Sequence, residues 1–176
     1  MKTYRQSPPL RRLVRWSAGT RPLVKLYRLI QEPLDRIVYR LTRGRATVSS
    51  WLSGIEISML TTTGARTGRP RTLPVLALPD GDDVILIASN FGRPRHPCWY
   101  HNLRAYPHAT VITAGRSRDF VVRELSGADR DRCYARAEEI FPPFTQYPRW
   151  AGTRQIPVLR LHPTGTRSGA PAGTPS

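Results

Sequence analysis

The chain has 176 residues, enough for one domain with a single buried core. Its formal net charge is +16, almost wholly from arginine, since lysine occurs only at Lys2 and Lys25. That balance favours anionic partners such as nucleic acid, acidic lipid headgroups or an acidic cofactor, although arginine-rich codon usage explains the excess equally well. No apolar stretch approaches the ~20 residues that span a bilayer. The basic N-terminus lacks the apolar run and small-residue cleavage site of a signal peptide. Cys98 and Cys133 fit no metal-ligand or CxxC spacing, and are expected as reduced thiols in or near the core of a cytoplasmic protein.

Residues 1–20 read as a basic flexible arm. In residues 21–50, Leu23, Leu26, Tyr27, Ile30, Leu34, Ile37, Val38 and Leu41 recur at helical spacing, with Lys25, Arg28, Arg36, Arg40 and Arg43 mostly off that stripe. Pro33 kinks or divides this helix. A cationic amphipathic helix either packs on its own domain or lies on an anionic membrane, here the inner face of the cell membrane. Strands follow at Ile55–Thr63, Arg71–Leu78 and Val84–Ser89, the last two joined through the hairpin signal Asp80-Gly81. Pro97 opens a short helix over Cys98–Tyr106. Ala109–Ala114 and Arg118–Leu125 form a hairpin across Gly115. Ser126 and Asp129 resemble a capping box for a helix with Cys133, Ala137 and Ile140 inward. Phe141-Pro142-Pro143-Phe144 ends that helix, and Ile156–Leu161 is the last strand. From Pro163 onward the Gly/Pro/Ser/Thr-rich sequence is expected to be disordered, which gives a folded domain over 51–163 and a tail over 164–176. Short strands joined by hairpins, with few helices between them, predict a small antiparallel barrel with attached helices, an α+β protein that is mainly β.

Three groups of residues could carry chemistry. The turn Gly64–Arg71 offers glycine backbone and the forked donors of Arg66, Arg69 and Arg71 to a phosphate or carboxylate, or it is an ordinary basic hairpin turn. It matches neither a Walker A loop nor a GxGxxG fingerprint. Ser89 and Asn90 end a strand, and Trp99 and Asn102 share one helix face. These four either border a ring or serve as core and cap residues. Phe141, Phe144, Tyr147 and Trp150 recur every three residues, as core packing or as a lid over a flat substrate. His96, His101, His108 and His162 show no paired metal spacing, and no GxSxG elbow accompanies Ser89. An enzyme built from these residues would leave the hard step to a bound cofactor.

From about Ile55 to Leu161 the chain resembles the deazaflavin-dependent nitroreductase family of actinobacteria. The landmarks are Thr61-Thr62-Thr63-Gly64, Gly68-Arg69-Pro70-Arg71, Pro74, Asp80-Gly81, Ala88-Ser89, Gly92, Pro97, Trp99-Tyr100, Asn102-Leu103, Pro107, Tyr147–Trp150 and Arg154-Gln155-Ile156-Pro157. The resemblance implies a split β-barrel of the FMN-binding, flavin-reductase type. It also implies hydride transfer from reduced coenzyme F420 to a small organic acceptor, with FMN as the less favoured ring. Carried over by position, Arg66, Thr67, Gly68, Arg71, Pro74, Ser89, Asn90, Trp99 and Asn102 contact the coenzyme. Leu76, Phe141, Phe144 and Tyr147 face the acceptor, and Tyr147 and Ser89 are the catalytic candidates. Phenylalanine at 141 and 144 and leucine at 76 replace hydroxyl-bearing residues of the family, and Asn90 replaces a lysine. These departures point away from nitroimidazoles and toward quinone-like acceptors. The competing readings are a nucleic-acid-binding module, suggested by charge and by Trp16, Tyr27 and Trp51 among arginines, and a non-catalytic F420- or FMN-binding protein. Oligomeric state is left open.

Overall fold

The computed structural model describes residues 57–165. The expected basic arm, amphipathic helix and most of the tail lie outside the described residues. Six strands close into an antiparallel barrel in the order β1-β2-β3-β6-β5-β4: β1 (Ile57–Thr63), β2 (Pro70–Asp80), β3 (Asp83–Ile87), β4 (His108–Thr113), β5 (Arg116–Glu124) and β6 (Val158–Gly165). β1 pairs with both β2 (Thr62 opposite Arg71) and β4 (Thr61 opposite Thr110), and β6 fits between β3 and β5. The helices are α1 (Cys98–Ala105), α2 (Gly127–Ile140) and α3 (Tyr147–Ala151).

Alternation along the strands builds two apolar cores. Leu60, Val75, Leu86, Val111, Phe120, Val122 and Leu161 point into the barrel, where Trp99, Tyr100 and Leu103 of α1 join them. Leu78, Ile85, Ile87 and Val158 point outward and are covered by Tyr134, Ala137 and Ile140 of α2 with Phe144, Tyr147 and Ala151. This is why β3 reads as a continuous Val-Ile-Leu-Ile run: both of its faces are buried. Arg136 and Arg160 both reach Asp80 (2.6 and 3.1 Å), which fastens the β2–β3 hairpin to α2 and β6.

Several expectations shift. β2 starts at Pro70 rather than Arg71, because the ladder to β1 extends to Thr63 opposite Pro70. β6 continues to Gly165, past the expected end at Leu161 and through Pro163, because Asp119 and Phe120 of β5 supply partners. Ser126 holds the N-cap position of α2, but its side chain makes no capping bond and Asp129 pairs with Arg132 instead. Inward on α2 are Tyr134, Ala137 and Ile140, with Cys133 half-buried beside them. Cys98 is exposed rather than in the core, because it opens α1 on the face away from the barrel.

Candidate functional site

The turn from Gly64 to Arg69 is closed by its own backbone: Gly64 N donates to Arg69 O (2.9 Å) and Gly68 N to Gly64 O (2.8 Å), with Gly68 at φ +64°. A side chain at Gly64 would meet Thr67 Oγ1 at 2.8 Å, so this corner is packed to the backbone. Asn102 of α1 ties the turn to the barrel. Its Oδ1 accepts from Ala65 N and its Nδ2 donates to Thr62 Oγ1, each at 3.0 Å. Arg66, Thr67, Arg69 and Arg71 are exposed, and among the described residues no carboxylate pairs with these arginines. Three free guanidinium groups on a rigid turn form a donor set chemically suited to phosphate and carboxylate.

Pro74 and Leu76 lie half-buried on the outer face of β2, in one row with Leu78. The β2–β3 register (Ala77 opposite Leu86) runs toward Pro74 and Ser89 at the same end of the barrel. After β3 the chain makes a short 3-10 turn, Asn90–Gly92, in which Asn90, Phe91 and Gly92 all have left-handed backbone (φ +48, +55 and +70°). Non-glycine residues held there cost about 1–3 kcal/mol each and persist only when their surroundings over-determine them. Arg154 supplies most of that determination. Its Nη2 donates to Ser89 O (2.6 Å), Nε to Arg93 O (2.8 Å) and Nη1 to Ala88 O (3.2 Å), with His96 Nδ1 3.3 Å from Nη1. Asn90 Nδ2 donates to Arg95 O (2.8 Å). Gly92 is pressed on α3, where an added Cβ would lie 2.8 Å from Trp150 Cβ. Burial, and next the Arg154 charge, hold the His96 pKa below its ordinary value. A neutral His96 accepts from Arg154 through Nδ1. On its other side His96 meets the Tyr100 ring (4.7 Å), and the Tyr100 hydroxyl donates to Glu124 (2.9 Å).

The aromatic segment is a 3-10 turn, Pro142–Thr145, followed by α3. Phe141, Phe144, Tyr147 and Trp150 form a chain of ring contacts at 5.3, 5.7 and 5.6 Å, and Phe91 meets Tyr147 edge-on at 6.4 Å. Phe141 and Trp150 are its partly exposed members and Leu76 of β2 packs, partly exposed, against the same core, while Phe144 and Tyr147 are 4% and 1% exposed. An open cleft of about 360 Å³ lies elsewhere, lined by Thr61, Thr63, His108, Thr110, Asp119 and Thr164, and contains neither Ser89 nor any residue of the aromatic segment.

Three of the expected site residues are placed differently from the expectation. Trp99 is a plug of the barrel core at 8% exposure, not a wall of a cleft. Asn102 spends both ends of its amide on Thr62 and Ala65, so it positions the turn. Tyr147 was expected to present a hydroxyl to the acceptor, but it is buried, and burial raises its pKa well above the usual phenol value. Arg154 and Phe91 were missed as site residues. The segment Arg154-Gln155-Ile156-Pro157 stood out as a landmark, but nothing in a linear pattern tells which carbonyls an arginine will hold.

The closed six-stranded barrel, with its arginine-bearing turn and aromatic flank, has the architecture of the split-barrel class. The family model for F420H(2)-dependent quinone reductase matches residues 34–163. F420H(2)-dependent quinone reductase Rv1261c of Mycobacterium tuberculosis (strain ATCC 25618 / H37Rv) is 36% identical over 134 residues, covering 73% of this chain and 87% of that protein. Among solved structures, an F420-H2 dependent reductase (FDR-A) superposes with a TM-score of 0.56 at 34% identity, covering 60% of this chain and 93% of the other. A second, described as a domain-swapped dimer, gives 0.59 at 30% identity and covers 72% and 95%. The chain belongs to the F420H(2)-dependent quinone reductase family and is an oxidoreductase that uses reduced coenzyme F420. Among the described residues no helix is long and apolar enough to cross a membrane.

Proposed function

We propose that the chain reduces flat, apolar quinone-type acceptors, with the anionic chain of the coenzyme on Arg66 and Arg71 and its ring between Pro74, Ser89 and the aromatic flank. The observation that carries the acceptor half is the half-exposed apolar wall of Leu76, Phe141 and Trp150, backed by the buried rings of Phe144 and Tyr147. Such a wall rewards ring faces and methyl groups, each buried methylene-sized unit contributing about 0.8 kcal/mol. A polar nitroimidazole would lose hydrogen bonds to water there without replacement.

When bound, the reduced coenzyme supplies a hydride. The quinone gains two electrons and one proton as that hydride and a second proton from water, giving the hydroquinone. Tyr147 is 1% exposed, so it backs the wall from behind rather than meeting the acceptor with its hydroxyl. Arg66 and Arg71 would hold the phosphate; Asn102 and Gly64 hold the turn that carries them, and Arg154 holds the Ser89 carbonyl, so that Ser89 would border the ring. The names of relatives such as Rv1261c support this acceptor class.

The test is a titration of the purified protein with coenzyme F420, FMN and a short oligonucleotide, followed by steady-state assays with the reduced coenzyme. The expected result is tight binding of F420 alone and turnover of quinones in preference to nitroimidazoles. Robust nitroimidazole reduction with no activity on any quinone overturns the acceptor assignment.

A further inference from the structure

Phe91 occupies a conformation that its own chemistry resists. Glycine adopts left-handed backbone freely and asparagine tolerates it, but a bulky side chain gains nothing from it. Burial does not compensate either, because Phe91 is 42% exposed. The surrounding structure nevertheless enforces this geometry from both flanks. Arg154 holds the carbonyls of Ser89 before it and Arg93 after it, and Gly92 is packed backbone-first against Trp150. The outcome is one ring held at the surface, edge-on to Tyr147, beside the chain of rings that runs from Phe141 through Phe144 and Tyr147 to Trp150. Backbone strain that packing does not reward is characteristic of ligand-gripping positions.

We infer that Phe91 is a specificity-determining residue, held in place to offer its ring face to flat, fused-ring quinones. This rests on the acceptor assignment made above. A ring face selects by stacking area, so two-ring acceptors gain more from it than one-ring acceptors. Arg154 is the positioning residue for this ring, acting through the backbone of residues 88–93.

The experiment compares Phe91→Gly, Phe91→Ala and Phe91→Tyr with the parent chain. 1,4-Naphthoquinone and p-benzoquinone are the acceptors, and three quantities are read: KM for each acceptor, Kd for coenzyme F420, and the thermal unfolding midpoint. Quenching of tryptophan fluorescence by 1,4-naphthoquinone without coenzyme gives acceptor binding independently of turnover. Phe91→Gly relieves the backbone, so the midpoint is expected to stay level or rise. KM and the quenching constant for naphthoquinone are expected to rise about tenfold, those for benzoquinone at most threefold, and Kd for F420 to stay within twofold. Phe91→Tyr should restore the parent values. A merely structural residue could not lose acceptor affinity while gaining stability. Unchanged naphthoquinone binding in Phe91→Gly and Phe91→Ala refutes the inference while leaving quinone reduction intact. A matching loss of F420 affinity also refutes it, by placing Phe91 on the coenzyme. Absence of quinone turnover by the parent chain refutes the acceptor assignment and this inference together.

Discussion

Replacing Arg154 tests how the loop of residues 88–93 is held. In Arg154→Met three backbone carbonyls lose a charged donor: Ala88 O, Ser89 O and Arg93 O. Bonds to charged groups are worth about 1.5–3 kcal/mol each, but a carbonyl that water can reach recovers most of that. Arg93 is exposed and Ser89 half-buried, so both rehydrate, whereas Ala88 is 0% exposed and its carbonyl remains unpaired at about 1–3 kcal/mol. Adding about 1 kcal/mol for the two partial losses gives a destabilisation of roughly 2–4 kcal/mol. In a chain of this size each kcal/mol lowers the midpoint by about 2–4 °C, so thermal unfolding should fall by roughly 5–15 °C. Hydrogen exchange at Gly92 and Arg93, whose amides donate to Ser89 O and Asn90 O, should accelerate more than exchange in β4 or β5. Arg154→Lys keeps the charge but not the fork, and should recover less than half of the loss. A midpoint within 2 °C of the parent and unchanged exchange would show that the left-handed turn holds itself, and the argument from Arg154 to Ser89 and Phe91 would fail.

Arg66→Ala or Arg71→Ala should weaken F420 binding by about 1.5–3 kcal/mol, with less effect at high salt, as isothermal titration would show; equal affinities would reduce the turn to a structural feature. Asn102→Ala leaves the 2%-exposed Thr62 hydroxyl without its donor and frees Ala65 N, so it should cost about 1–3 kcal/mol of stability by denaturant unfolding and also loosen coenzyme binding. Gly92→Ala meets Trp150 Cβ at 2.8 Å and Tyr147 O at 3.1 Å on a positive-φ backbone, and should lower stability by about 2–4 kcal/mol. His96 has a folded-state pKa below its ordinary value, so the unfolded chain binds its proton first. Its stabilising contribution is therefore complete above about pH 6.5 and is lost as pH falls through the lower folded pKa, and nuclear magnetic resonance of the ring should show that pKa rising in Arg154→Met, although not to the ordinary value, because burial is the larger cause.

The barrel was readable from local signals. Hairpin dipeptides such as Asp80-Gly81 and alternation in Ala109–Ala114 locate strands without knowledge of their partners. The extension of β6 to Gly165 was not readable, because Pro163 and Thr164 carry loop chemistry and join the sheet only through β5. The turn Gly64–Arg69 was legible because glycine keeps its meaning at short range. Trp99 was misplaced because a tryptophan at helical spacing looks the same whether it lines a cleft or plugs a barrel, and only the position of α1 over the mouth decides. The strain at Phe91 was invisible, since an unfavourable backbone angle is imposed by contacts from Arg154 and Trp150, some sixty residues away.

The placement of β6 has a consequence for the chain as it is made. β3 and β5 have no partner for one of their edges until β6 arrives between them, some seventy residues after β3. A nascent chain that has produced β5 and α2 therefore exposes two open strand edges, one of them the apolar Val84–Ile87. Chaperone demand during synthesis should peak at that stage and vanish once Val158–Leu161 is available to seal the ring.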